Sequence, residues 1–152
     1  LASPNGARSL PLCEFFELDG MTRNVLGSGE LVTHITIPED SAEWGGDYQK
    51  LRQRATWDFP EAGVAVLWKG KSSSGPTSLR VATTGLESIP SLHLDEAKEA
   101  LSKWNGAETV EELAESIRKA VKPVQNTWFS PPYRRKMVKV LTKRACRDLL
   151  VS

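Results

Sequence analysis

The chain has 152 residues, 39% of them hydrophobic and 26% charged, with a formal net charge of +1. That length suits one domain with a substantial core, and the composition is that of an ordinary globular protein. The near-zero charge gives no general argument for nucleic acid or an anionic membrane, and no apolar run nears the roughly 20 residues of a membrane helix.

The opening LASPNGAR has neither the basic start nor the apolar stretch of a signal peptide. It also lacks an initiating Met, so a fragment of a longer cytoplasmic chain is expected. Cys13 and Cys146 lie far apart, neither in a CxxC nor beside a His. They read as reduced thiols, not as ligands of a metal or iron–sulfur site built from this chain. His34 and His93 are isolated and read as surface or structural residues.

In chain order, Leu31, Thr33, Ile35 and Ile37 alternate with Val32, His34 and Thr36, and Pro38 closes the run, which predicts a first strand. A second extended stretch is expected from about Tyr48 to Trp57. Ala62 to Trp68 (AGVAVLW) is apolar on both faces, as a central strand would be. Lys69 to Pro76 (KGKSSSGP) reads as a hairpin loop, followed by a strand from Leu79 to Thr84 that stops at Gly85.

Helices follow. Asp95 is the expected cap of the first, with Ala97, Ala100, Leu101 and Trp104 at helical spacing and Gly106 as its stop. Thr109 and Glu112 form a capping-box pattern ahead of Val110, Leu113, Ala114, Ile117 and Val121. Ser130 before Pro131 and Pro132 starts a third helix. Strands first and helices after predict an α+β domain: an antiparallel sheet of three to four strands followed by a layer of three helices.

Two basic constellations could carry chemistry. On the expected second strand Lys50, Arg52 and Arg54 recur at a period of two and so share one face. Three neighbouring cations want an anion opposite, such as a cofactor phosphate or an electron-rich ring. The alternative is an edge strand that uses charge to prevent aggregation. The third helix holds seven basic residues from Arg134 to Arg147 and no acid. Met137, Val138, Leu141, Ala145 and Leu149 form its apolar face, and Arg134 and Arg144 fall in or beside it, where a buried Arg calls for a carboxylate partner. Seven acids between Asp95 and Glu115 are placed to neutralise part of the basic face. No GxSxG, HExxH or Walker loop occurs, nor a GxGxxG between strand and helix, so no self-contained active site is expected.

Four motifs in order resemble a known family. Arg8-x-Leu10-Pro11-Leu12-x-x-Phe15-Phe16 and GELVTHITIP (residues 29–38) come first. Then follow Tyr48-x-Lys50-Leu51-Arg52-x-Arg54-Ala55-x-x-Asp58-Phe59-Pro60-x-Ala62-x-Val64-Ala65 and Tyr133-Arg134-Arg135-Lys136-Met137-x-x-Val140-Leu141-x-x-Arg144-Ala145. Together they resemble the C-terminal domain of the FAD-binding medium subunit of molybdenum hydroxylases, the family of xanthine and carbon monoxide dehydrogenases. The resemblance runs from Arg8 to Leu150. It implies that residues 1–28 are the tail of a preceding FAD-binding domain and a linker, and residues 29–152 the C-terminal domain.

By the same resemblance the chain is part of an oxidoreductase and is not active alone. Its partners would be the upstream FAD-binding domain, an iron–sulfur subunit with [2Fe–2S] clusters and a molybdopterin subunit, with no nucleic acid and no membrane. Most FAD contacts would come from upstream. Val32 would pack near the flavin and Lys50 close to its isoalloxazine ring, with Arg54 and Asp58 as an ion pair shaping that wall. The competing reading is a free-standing module whose basic C-terminal helix engages nucleic acid or an acidic protein partner.

Overall fold

Period-two apolar spacing places β4 (Ala62–Lys69) at the heart of the sheet: Ala62, Val64, Val66 and Trp68 are all buried on one face. In the computed structural model, which describes residues 1–72 and 74–150, β4 pairs antiparallel with β3 (Gly45–Leu51) and β5 (Ser78–Thr84). A short β6 (Ser91–Leu92) adds to β5, giving the order β3-β4-β5-β6. A separate two-stranded ribbon joins β1 (Ala2–Ser3) to β2 (Gly6–Ala7). The α+β architecture is as expected; β6 is too short to carry a period and had no sequence signal.

Three helices cover one face of the sheet. α1 (Leu94–Ser102) packs on β5, α3 (Pro131–Ala145) lies across β3 and β4, and α2 (Ala107–Ala120) bridges the two helices. Val110, Leu113, Ala114, Ile117 and Val121 of the expected α2 face are all buried, as are Val138, Leu141 and Ala145 of α3. Each fully buried Val, Leu or Ile contributes about 1.5–3 kcal/mol, so this layer is what holds the sheet.

Several boundaries differ from expectation. His93, not Asp95, occupies the N-cap of α1, which ends at Ser102. Gly106 opens α2 instead of closing α1, using a φ of 60° that few other residues adopt. The Thr109 hydroxyl is buried inside the helix start, accepting from the Asn105 N–H at 2.7 Å and donating to the Lys103 carbonyl at 3.2 Å, so it ties the α1–α2 turn and caps nothing. α3 begins at Pro131 after Ser130, as its prolines dictate.

Two expected strands fail in part. Residues 31–37 form no ladder beyond a single bridge between Leu31 and Ala2, because no second strand lies beside them among the described residues. The second stretch stops at Leu51, whose carbonyl accepts from the Glu61 N–H at 2.8 Å. Residues 52–60 then curl into a loop instead of continuing to Trp57. Arg52 and Arg54 therefore do not share a strand face with Lys50.

Candidate functional site

The ladder register sorts the sheet into two faces. Gly45, Asp47, Gln49 and Leu51 of β3 stand opposite Trp68, Val66, Val64 and Ala62, on the helix side. Tyr48 and Lys50 stand opposite Ala65 and Gly63, on the other side, which no helix covers. Ala82 of β5 shares that face through its pairing with Ala65, and Thr84 through Gly63. Glycine is required at position 63: a Cβ there would lie 2.5 Å from the Tyr48 hydroxyl and 2.6 Å from Thr84 Oγ1. Beside Lys50 the sheet is thus a floor of small residues, Gly63, Ala65 and Ala82, edged by Tyr48.

Lys50 is half-buried at the end of β3, and its ammonium donates to the Asp58 carbonyl at 3.0 Å. The loop it touches is folded on itself. Arg54 donates its backbone N–H to Asp58 Oδ2 at 3.0 Å and its guanidinium to Asp58 Oδ1 at 3.3 Å. Arg52 Nη1 donates to the Thr56 carbonyl at 3.2 Å. The Arg54 N–H, and after it the guanidinium, hold the Asp58 carboxyl below the usual range. The Arg54 side chain is 69% exposed, so this ion pair shapes the loop more than it stabilises the fold. Trp57 and Phe59 on the same loop are 89% and 81% exposed, an aromatic rim of the kind that marks a surface to be covered. Val32 sits in the exposed 31–37 segment, and no hydrogen bond among the described residues joins it to Lys50.

Arg134 anchors the base of this loop. It is fully buried, with its Nε donating to the Glu61 carbonyl at 2.7 Å and Nη1 to the Val124 carbonyl at 2.6 Å and to Asn126 Oδ1 at 3.2 Å; Nη2 donates to the Gly85 carbonyl. The expected carboxylate partner is replaced by a cage of loop carbonyls, whose partial charges satisfy the planar guanidinium from several directions. Arg144, beside the same stripe in sequence, is exposed instead. Burial lowers the pKa of Arg134. Glu61 is itself buried; Gln53 donates to its Oε1 at 3.1 Å, while its Oε2 has no partner. Gly85 has a φ of +72°, and a Cβ on it would lie 2.6 Å from the Pro60 carbonyl oxygen, so the loops at this end close on each other tightly.

The basic face of α3 is largely spent within the domain. Lys139 pairs with Glu111 at 2.7 Å and Glu115 at 3.2 Å, and Lys143 with Glu111 at 2.6 Å. Arg118 also holds Glu115, whose carboxyl is lowered to about 2, first by Arg118 and then by Lys139. Lys136, Arg144 and Arg147 remain exposed with no ion pair among the described residues. His93 is buried, its Nε2 2.9 Å from Thr83 Oγ1, and burial lowers its pKa. Among the described residues no three His, Cys, Asp or Glu side chains gather as a metal site, and no helix is long and apolar enough to cross a membrane.

A sheet covered by helices on one face, with a small-residue floor and a cationic loop on the other, defines an α+β domain built to form one wall of a larger site. The chain belongs to the family of the CO dehydrogenase flavoprotein C-terminal domain, whose pattern matches residues 47–149. It is 29% identical over 149 residues to the glyceraldehyde dehydrogenase medium chain of Sulfolobus acidocaldarius, covering 98% of this chain and 51% of that protein. Among solved structures it is similar to a carbon monoxide dehydrogenase of Hydrogenophaga pseudoflava that lacks the Mo-pyranopterin moiety of its cofactor, with a TM-score of 0.78 and 28% identity, covering 93% of this chain and 48% of that one. Quinoline 2-oxidoreductase of Pseudomonas putida 86 shares the fold, with a TM-score of 0.81 at 19% identity over 98% of this chain and 50% of its own. The chain spans about half the length of the relatives it matches.

Proposed function

We propose that this chain is one wall of a flavin site in the medium subunit of a molybdenum hydroxylase. The observation that carries the reading is the position of Lys50: a half-buried ammonium on the helix-free sheet face, beside a flat floor, in a chain of this family. The residues present fit a planar ring. Small side chains at Gly63, Ala65 and Ala82 leave room for one, and a Cβ at residue 63 would intrude on its edge.

FAD, held mainly by the part of the subunit outside this chain, would accept electrons arriving from [2Fe–2S] clusters and pass them to an external acceptor. Lys50 supplies a fixed positive charge to the ring edge around N1 and the C2 carbonyl, where reduction adds negative charge, and so raises the reduction potential. The Asp58 carbonyl orients that ammonium, taking one of its three protons and leaving two to face the ring. Arg54 and Asp58 hold the loop that provides this carbonyl. Val32 packs near the flavin as an apolar contact from the first segment. In this reading residues 1–28 are the tail of the FAD-binding domain and a linker, and 29–152 the C-terminal domain. The iron–sulfur and molybdopterin subunits complete an oxidoreductase, and the chain alone is inactive.

The test is Lys50→Ala in the full-length subunit, followed by flavin content and midpoint potential. A lower potential supports the assignment; unchanged content and potential would remove Lys50 from the site. A free-standing module that binds nucleic acid through α3 is disfavoured by the ion pairs of Lys139 and Lys143, and a flat salt titration of any binding would dismiss it.

A further inference from the structure

Residues 31–37 have the alternation of a strand and none of its partners. Leu31, Ile35 and Ile37 are 70%, 71% and 75% exposed, and Val32 on the opposite face is 48% exposed. Native proteins do not leave such an edge bare, because its unpaired amides and apolar side chains template aggregation. The segment also lies before the matched family domain, which starts at residue 47, in a chain spanning about half the length of its relatives.

One bridge gives the direction and register of the missing partner. Ala2 and Leu31 exchange both backbone hydrogen bonds at 2.9 Å in an antiparallel arrangement. On its other side the same short segment pairs with β2: Leu1 donates to the Arg8 carbonyl at 2.8 Å, and the Arg8 N–H to the Leu1 carbonyl at 3.0 Å. Leu1 thus bonds one neighbour and Ala2 the other, which is the alternation of a central strand. Arg8 grips Glu30 through two hydrogen bonds of 2.7 Å, and Glu30 accepts the Gly27 N–H at 2.7 Å, so the start of the 31–37 segment is fixed beside the ribbon.

We infer that the residues immediately preceding Leu1 in the full-length protein continue β1 as the middle strand of a three-stranded antiparallel sheet, pairing with residues 32–37 on one side. The register follows from Ala2 opposite Leu31. Leu1 stands opposite Val32, and the first, third and fifth residues before Leu1 form hydrogen-bonded pairs with Thr33, Ile35 and Ile37. The second residue before Leu1 stands opposite His34 in a non-hydrogen-bonded pair. Residues 31–37 are then an interaction edge completed by the subunit's own upstream chain. This rests on the reading that the chain is the later half of a longer subunit, but it makes no use of flavin.

The experiment uses the full-length subunit in a Cys13→Ser background. His34→Cys is combined with a cysteine at the second residue before Leu1, where the Cα atoms of a non-hydrogen-bonded pair stand about 4.5 Å apart, within bridging range. Mild oxidation is expected to give an intramolecular disulfide. A cysteine at the first residue before Leu1 points to the opposite face and is expected to lose the crosslink. Amide exchange at Thr33, Ile35 and Ile37 is expected to be slower than in an unprotected peptide by roughly 100-fold or more. No crosslink, equal crosslinking at both registers, or unprotected amides would overturn the inference. A disulfide found only between two molecules would overturn it in favour of a second copy on this edge. Because flavin content is read separately, loss of the Lys50 assignment leaves these outcomes unchanged.

Discussion

Replacing Arg134 with Met removes the cation that joins the start of β4, the end of β5 and the segment after α2. In the native protein its guanidinium serves the carbonyls of Glu61, Gly85 and Val124 and the side chain of Asn126. Each buried carbonyl left without a donor costs about 1–3 kcal/mol. Against that stands the relief of no longer holding a charge out of water, worth several kcal/mol in the opposite direction. The Glu61 carboxylate, 7% exposed and with Oε2 already unpartnered, would also lose its nearby cation. The net expectation is a loss of about 3–5 kcal/mol, as when one member of a buried charged network is removed. Urea denaturation followed by tryptophan fluorescence measures it, with an unchanged slope as the sign that only stability moved. Arg134→Lys should fall between, since an ammonium has three donors and lacks the planar fork. Arg144→Met, at an exposed position on the same helix, should stay within about 0.5 kcal/mol of the native protein. An Arg134→Met protein within about 1 kcal/mol of native would show that water or loop movement replaces the cage, and would refute this reasoning.

Leu141 is 2% exposed in the core, and Leu141→Ala should cost about 2–5 kcal/mol in the same assay. Glu30 and Glu115 are held at about 2 by their arginines, below the ordinary 4.5. Their contribution is therefore present above about pH 4.5 and lost as pH falls towards about 2, so Tm should drop across that window and the drop should shrink in high salt. A flat Tm would contradict it. Cys13 is exposed, whereas burial pushes the Cys146 thiol up to about 12, so a thiol reagent at about pH 8 should modify one cysteine in the native protein and both only after unfolding.

The parts of the fold legible in the sequence are those set by a repeating period. The apolar run of β4, the buried stripe of α2 and the proline start of α3 fall where periodicity and capping place them. What was not legible depends on contacts across long separations. Nothing in residues 48–57 announces that the Leu51 carbonyl will be taken by Glu61, or that Asp58 will fold the chain back onto Arg54. The pattern at Arg134 gave its burial but suggested a carboxylate, since carbonyls from three loops leave no mark in sequence. Residues 31–37 show a strand pattern whose fulfilment needs a neighbour the chain does not contain. At the candidate site, the period placed Lys50 on a face; its contact with the Asp58 carbonyl and the flat floor at Gly63 emerge only from the register.

The central claim is that Lys50 supplies charge to a flavin held against the open face of the sheet. Its most direct test is the midpoint potential of the full-length subunit with Lys50→Ala, measured beside Lys50→Arg and the native protein at equal flavin content. The account predicts a fall on the order of 30 mV or more for Lys50→Ala, about 1.4 kcal/mol for a two-electron couple, with much of it restored by Arg. The same potential in all three proteins would contradict it.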